Sequence, residues 1–569
     1  MNSDTASRLR RWMPFLAWPR PTHRYIKQDI FAGLTVGLIV LPQGVAYAAL
    51  AGMPLVTGIY ASLLPALVAV LWGASTRVSV GPAALICLLV SSTLHGLAEP
   101  GSANWVSLAV WLALLSGGLQ LVMGLGGFGW LLNLVTSPVL TGFTQAAALL
   151  IMASQLPTLL GLHSSLSSPT SLISLPSQAL QALQGGQSSI DLNAAAFGIG
   201  SLVLMLLGKR FWSNFPLAIF VVATTAAASA WLGFERAGGA VVGVLPAGLP
   251  SFYWPQLPAF QTLSVLVMPA LIIALISFME TAASAKVENQ ADNKRWNDNQ
   301  DLIGQGLAKI SSAFSGSFPT STSFSRSAIL VHAGARTGWA NVMSVALVLL
   351  ALLTLMPALH PVPKSVLAAV VIAAVWSLLK PAEFIRLWRI SPTEAIISVV
   401  TFGLTWVTAP SLYWGVLAGM LISLSHFLYH RLHPRIIEVG IHPDGSLRDR
   451  HLWKLPLIGL GVYALRMDAE LDFASSSGLS NAIGQQLTAC PDTQHVCLFA
   501  QPINRIDVTG VEAFTQIRTS LAGRSITLHI SGIKLPVEHI LRRANALPEG
   551  TLLRLYRTDA QALTALQQL

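Results

Sequence analysis

The amino-acid sequence predicts a polytopic α-helical membrane protein of about fourteen segments, in two halves of about seven, followed by a small α/β domain. Three observations carry that expectation. Of all residues, 53% are hydrophobic and only 10% are charged, with a mean hydropathy of +0.62, which excludes an ordinary soluble globular chain. Between Asp29 and Asp191 the only ionised side chains are Arg77 and Glu99, far too few for a surface that faces water. From about Ile437 charged residues become common, and short apolar runs such as 495–500 and 526–530 alternate with amphipathic stretches, the pattern of a small α/β domain.

Taken in order, residues 1–28 carry Arg8, Arg10, Arg11, Arg20, Arg24 and Lys27 without an apolar core. They form no signal peptide and read as a cytoplasmic arm. The first span, Ile30 to Ala51, contains Pro42, which removes a backbone donor, and Gln43, an amide at membrane depth, so the helix is expected to bend and to face a cavity. A second span is expected over 54–72. After Ser79-Val80-Gly81-Pro82, the apolar run from Ala83 to Leu94 is too short to cross ~30 Å of hydrocarbon and reads as a half-helix starting in mid-membrane. Further spans are expected near 105–125, 131–160, 190–207, 215–232, 264–288, 299–315, 337–357, 362–379, 392–408 and 411–430, with a second half-helix near 323–333.

Counting from a cytoplasmic N-terminus places Lys209-Arg210, Lys294-Arg295, Arg336, Arg386 to Arg389 and Arg431 to Arg435 on the inner side. The long Ser-rich connection 163–189, which has no Lys or Arg, falls outside, as the positive-inside rule requires. Arg236 and Lys364 are the exceptions. The formal net charge of +10 therefore reflects loop topology and not a nucleic-acid partner. Cys87, Cys490 and Cys497 have no disulfide or metal-ligand spacing. The expected domains are the arm 1–28, a membrane domain 29–430, and a cytoplasmic linker with the α/β domain over 431–569.

The two half-helices are third in their respective halves, and each follows a Gly/Pro interruption. That placement marks an inverted repeat whose half-helix N-termini face one point near the midplane. Gly316 to Ile329 puts a cation among hydroxyls there. Pro319 and the Ser/Thr run end one helix, the apolar residues from Ala328 start another, and Arg326 is expected in its first turn. Free N–H groups and the positive end of the helix dipole favour an anion at such a terminus, and Arg326 adds a full charge. Arg326 could instead be satisfied by backbone carbonyls or by a buried carboxylate such as Glu280. Gln43 could bond a neighbouring helix, and Tyr47 could sit at the interface. Glu288, Asp292, Asp298 and Asp301 read as a solvated inner loop and not as a metal site. Thr509, in Asn504 to Gly510, could cap a helix or accept a phosphate.

Several strings in one order carry a resemblance: Ala32-Gly33-Leu34-Thr35-Val36, Leu41-Pro42-Gln43-Gly44-Val45-Ala46-Tyr47-Ala48, Gly58-Ile59-Tyr60-Ala61-Ser62, Val78-Ser79-Val80-Gly81-Pro82, Gly306-Leu307-Ala308-Lys309, Ser323-Phe324-Ser325-Arg326-Ser327-Ala328 and Ala333-Gly334-Ala335-Arg336-Thr337. With them the chain resembles the sulfate permease (SulP) family of anion transporters over nearly its whole length. The part after residue 431 is similar to the STAS domain of those permeases, with Asp507-Val508-Thr509-Gly510 at its phosphoacceptor turn. Where that turn's strand usually ends near an Asp, this chain has Phe499-Ala500-Gln501.

The resemblance implies a seven-plus-seven inverted repeat, a core bundle that moves against a gate bundle as an elevator, a homodimer, and a cytoplasmic partner for the STAS domain. It implies a substrate pocket made by Gln43, Tyr47, Ala83, Phe324, Ser325 and Arg326, with Glu280 as the coupling residue and Thr509 as a regulatory site. Sodium-coupled bicarbonate carriers of this kind have an Asp at the Glu280 position and a hydroxyl residue at that of Phe324, so the longer Glu and the bulky Phe favour protons. The expectation is a non-enzymatic secondary transporter of an inorganic anion, sulfate, with protons, in the inner (plasma) membrane with both termini cytoplasmic and with neither cofactor nor metal. A bicarbonate or dicarboxylate carrier, and an anion sensor that signals through the STAS domain, are the alternatives.

Overall fold

The structure, a computed structural model, describes residues 13–18, 22–162, 191–211, 217–291, 295–409, 411–548, 550 and 552–568. The Ser-rich connection, Asp292, Lys294 and the arginines at positions 8, 10, 11 and 20 lie outside the described residues. The chain divides into two compact units, Met1–Ser423 and Leu424–Leu569.

The first unit is helical, and its helices track the apolar runs. Helix α1 (His23–Leu50) carries Pro42 in its interior. The expected second span is broken: a turn at Thr57–Tyr60 is followed by α2 (Leu64–Trp72), with Leu63 at φ −101° and ψ −97° between them. Pro65 in the first turn of α2 explains the break, since it has no N–H and crowds the backbone before it. Strand β1 (Val80–Gly81) leads into α3 (Ala84–Leu94). There follow α4 (Ala103–Leu125), α5 (Ser137–Leu159), α6 (Leu192–Phe211), α7 (Leu217–Leu232), α8 (Phe260–Ala291) and α9 (Asp298–Phe314). Strand β2 (Ser321–Thr322) then leads into α10 (Phe324–His332), followed by α11 (Trp339–Thr354) and α12 (Lys364–Trp376). An unexpected short amphipathic helix, α13 (Ala382–Ile390), precedes α14 (Pro392–Val407) and α15 (Tyr413–Leu432). Of the described helices, those over Tyr25–Leu50, Ala103–Leu125, Ser137–Leu159 and Phe260–Lys286 are long and apolar enough to cross a membrane.

Small residues set the helix contacts. A Cβ on Gly306 of α9 would lie 2.7 Å from Leu121 N and 2.8 Å from Gly117 O of α4, so these backbones touch. Likewise Gly33 of α1 rests on Ala340 O of α11. In lipid, where no hydrophobic force drives helices together, such close approach is what holds them. Helix α9 packs on α4 and α2, and α1 on α11; α5 packs on α14 and α12, and α12 on α6.

Three carboxylates hold loops of this unit, and two of them correct the expectation of a solvated loop. Asp301 accepts from Ala74 N (2.7 Å), Ser75 N (3.0 Å), Ser75 Oγ (2.6 Å) and Trp296 Nε1 (2.7 Å). Glu288 accepts from Thr76 N (3.1 Å), Arg77 N and the Arg77 guanidinium. Both are buried because they replace water for the N–H groups of residues 74–77. Asp29 does the same for Arg336 N (2.7 Å) and Thr337 N (3.2 Å). Asp298, at the start of α9, is half-buried.

The second unit is a six-stranded sheet in the order β4-β3-β5-β6-β7-β8, formed by β3 (Ile436–Ile441), β4 (Leu447–Asp449), β5 (Val462–Met467), β6 (His495–Phe499), β7 (Thr527–Ser531) and β8 (Leu553–Tyr556). Strands β5 to β8 are parallel, and β3 pairs antiparallel with both β4 and β5. Apolar residues of α16 (Ser476–Ala489), α17 (Val508–Gly523) and α18 (Leu535–Arg543) cover one face, and Ala562 and Leu566 of α19 (Asp559–Gln567) cover the other.

Candidate anion site at two half-helix ends

The two half-helices have 11 and 9 residues, about 16 and 14 Å of helix, roughly half of a hydrocarbon core. Strands β1 and β2 join them as an antiparallel pair, Val80 opposite Thr322 and Gly81 opposite Ser321. Two further bonds continue the seam, Ser323 N to Ser79 O (2.9 Å) and Ser79 N to Ser327 Oγ (2.9 Å). Their N-termini are therefore fixed side by side, which brings free N–H groups from both halves of the chain to one place.

Arg326 is the third residue of α10, and Ser323 caps that helix by accepting from Arg326 N at 3.4 Å. Its side chain is 1% exposed. Nε donates to Ser79 Oγ (3.3 Å), and one terminal nitrogen donates to Pro82 O (2.9 Å) and, at the limit of bonding, to Gln43 Oε1 (3.5 Å). The other terminal nitrogen is buried without a partner, and a Cβ on Gly81 would lie only 3.3 Å from it. Among the described residues Arg326 makes no ion pair, and the groups that hold it, Ser79, Pro82 and Gln43, are neutral.

The other expected residues fall into three groups. Gln43 and Tyr47, one turn apart on α1, are buried, and Tyr47 stands within electrostatic reach of the guanidinium. Ala83 is the buried N-cap of α3, while Phe324 and Ser325 open α10 with exposed side chains. Glu280 lies on α8, accepts from Ser321 Oγ, and is likewise within electrostatic reach of Arg326. Thr509 lies in the second unit, exposed at the start of α17. The cap of that helix is Asp507, which accepts from Gly510 N (2.8 Å) and Phe473 N (3.0 Å), so the hydroxyl of Thr509 is not the cap.

Sequence reasoning missed Lys309. It is fully enclosed on α9 and donates to Gln120 Oε1 of α4 at 2.8 Å. Its signal was a cation four residues after Gln305 within an apolar run, which places two polar groups on one helix face.

The comparisons with known proteins agree with this architecture. Residues 26–401 match the sulfate permease family, and residues 459–562 match the STAS domain. The chain is 30% identical over 565 residues to the chloroplastic sulfate transporter 4.1 of Arabidopsis thaliana, covering 95% of this chain and 79% of that protein. It is 30% identical to the sodium-independent sulfate anion transporter of Bos taurus (94% and 89% covered) and 28% identical to a probable sulfate transporter of Mycobacterium tuberculosis (92% and 92%). Its fold matches the structure of SLC26A9 with a TM-score of 0.88 at 20% identity, over 100% of this chain and 94% of that one. The transmembrane domain of the cyanobacterial bicarbonate transporter BicA matches at 0.59 and 18% identity, over 72% of this chain and 99% of that one.

Proposed function

The chain belongs to the sulfate permease family, and from that membership we propose that this multi-pass anion transporter takes up sulfate together with protons. The observation that carries the substrate class is the Arg326 guanidinium at the paired half-helix ends. It has one buried nitrogen without a partner, and the groups its other nitrogens bond are neutral. Sulfate is a dianion that needs several donors and no proton acceptor. Arg326, the Ser325 hydroxyl and the N–H groups of α3 and α10 supply such donors, with Gln43, Tyr47, Ala83 and Phe324 as the remaining wall. Protons are assigned to Glu280, a carboxyl that takes a proton on one side and releases it on the other, offsetting part of the substrate charge.

In this reading, helices α1 to α4 with α8 to α11 form the core bundle of a seven-plus-seven inverted repeat, and the core moves as an elevator against the remaining helices in a homodimer. The termini are cytoplasmic at an inner (plasma) membrane. The STAS domain follows a membrane domain that ends near residue 430, and it meets a cytoplasmic partner, with Thr509 as its modifiable hydroxyl. The fold likeness and the paired half-helices support the inverted repeat, and the positive charges at the span ends support the cytoplasmic termini.

The test is labelled-sulfate uptake into proteoliposomes with and without an inward proton gradient, for wild type, Arg326→Ala and Glu280→Gln. The gradient is expected to drive accumulation in wild type; Arg326→Ala abolishes transport, and Glu280→Gln retains exchange alone. Uptake of bicarbonate or fumarate without sulfate would overturn the substrate, and folded protein that moves no anion would make it a sensor.

A further inference from the structure

Helix α13 has one side that packs within the membrane unit and one that does not. Leu387 is buried, and Phe384 meets Phe402 of α14 edge-on (6.0 Å, 89°), so this side rests on α14. The opposite side is open: Ile385, Trp388 and Ile390 are 59%, 56% and 69% exposed. By helical spacing Trp388, Ile385, Arg389 and Arg386 follow one another around that side, an apolar half running into a cationic half. Both arginines are exposed. Arg386 Nε donates to Glu383 at 2.7 Å, one turn back, while Arg389 makes no ion pair among the described residues.

The helix is fixed at both ends. Before it, Lys380 N donates to the buried Gln145 Oε1 of α5 (3.0 Å), and the lysine itself is exposed. After it, Ser391 ends α13 and caps α14, accepting from Glu394 N at 3.4 Å. Between Ser377 and Ser391 the charged residues are Lys380, Glu383, Arg386 and Arg389, so the stretch is cationic on balance. Trp376, at the end of α12, is exposed as well, so tryptophans stand on both sides of Lys380 in the chain. Indole rings favour the headgroup level of a bilayer, where one end of the ring is apolar and the other wet.

We propose that the open side of α13 binds anionic phospholipid of the inner leaflet, with Arg386 and Arg389 on the headgroup phosphate and Ile385 and Trp388 against the acyl chains. This rests on the topology proposed above, which puts residues 380–391 on the inner side. A free phosphate would engage the arginines alone and leave the apolar half facing water. A phospholipid is anionic at one end and apolar at the other, as the contiguous halves of this side require.

The test uses full-length protein in detergent, incubated with labelled phosphatidylglycerol or phosphatidylcholine, with retained lipid counted after size exclusion. Wild type should retain phosphatidylglycerol in preference to phosphatidylcholine. Replacing both Arg386→Gln and Arg389→Gln should lower phosphatidylglycerol retention at least about tenfold, since each arginine at an anionic leaflet contributes about fivefold. Glu383→Gln frees Arg386 from its intrahelical partner and should raise retention, whereas Trp388→Ala should lower retention of both lipids. Equal retention of the two lipids by wild type, or wild-type retention by the double arginine variant, overturns the proposal. Displacement of the lipid by excess inorganic phosphate overturns the lipid as occupant. In a Cys490→Ser background, Ile390→Cys in sealed membranes should react with an impermeant maleimide from the inner side alone. Reaction from the outer side overturns the topology and the inner-leaflet assignment; inner-side labelling without a lipid preference overturns the site alone.

Discussion

Arg326→Lys separates the arginine's fork from its charge. In the structure Nε holds Ser79 Oγ at 3.3 Å, one terminal nitrogen holds Pro82 O at 2.9 Å, and the second terminal nitrogen is buried without a partner, which the proposed site assigns to the anion. A lysine has one nitrogen for all three tasks. If it turns to the anion, the buried Pro82 carbonyl and Ser79 hydroxyl lose a charged donor; if it stays with Pro82, the anion does. Leaving one such buried group unmet costs about 1–3 kcal/mol, which is about 5- to 150-fold in affinity. Equilibrium binding of labelled sulfate to purified full-length protein measures it, with Arg326→Ala as the reference for complete loss. Binding by Arg326→Lys within about twofold of wild type would refute the reasoning, since charge alone would then suffice.

Asp301→Ala removes the acceptor of four hydrogen bonds and should lower the stability of the membrane unit by about 3 kcal/mol or more; an unchanged midpoint of thermal unfolding in detergent would count against a staple role. Gly306→Val drives a side chain into the α4 backbone at Leu121 and Gly117, so a large drop in the monodisperse fraction is expected on size exclusion, and a normal profile would show that these helices do not touch as described. In the STAS domain, burial together with His495 and Arg554 holds the His529 imidazole down to about 4. The unfolded imidazole binds a proton already near pH 6.5, so the sheet keeps its full stability above that pH and loses part of it as pH falls toward 4. Hydrogen exchange of the β6 and β7 amides in the full chain should accelerate over that window beyond its intrinsic pH dependence, and His529→Gln should remove the effect.

What the sequence disclosed was what local pattern encodes. Pro82 and Pro319 with the Ser-rich runs marked where two short helices begin, and the return of charge after residue 430 marked the second unit. Arg326 was legible because a cation inside an apolar chain stands out. Its partners Ser79 and Pro82 were not, because they lie 247 and 244 residues away, and Gln43, 283 residues away, was joined to it by the family resemblance alone. Asp301 and Glu288 looked like solvated charges for the same reason: the N–H groups they satisfy are 226 and 211 residues distant, and nothing near them in the chain announces it. Lys309 was passed over as one residue of a family string, although its spacing from Gln305 already placed both on one face.

The β1–β2 seam has a consequence for how the protein is made. Val80 pairs with Thr322, so about 240 residues of chain must be synthesised before the first half-helix meets its mate, which takes on the order of tens of seconds at ordinary rates of translation. During that interval Val80 and Gly81 lack the strand that satisfies their backbone groups in the finished fold, and hydrocarbon supplies no substitute. Biogenesis of this protein therefore has a vulnerable window that ends when residues 321–322 arrive. Mutations that slow insertion of α8 or α9 should lower yield by prolonging it, even where they leave the finished transporter intact.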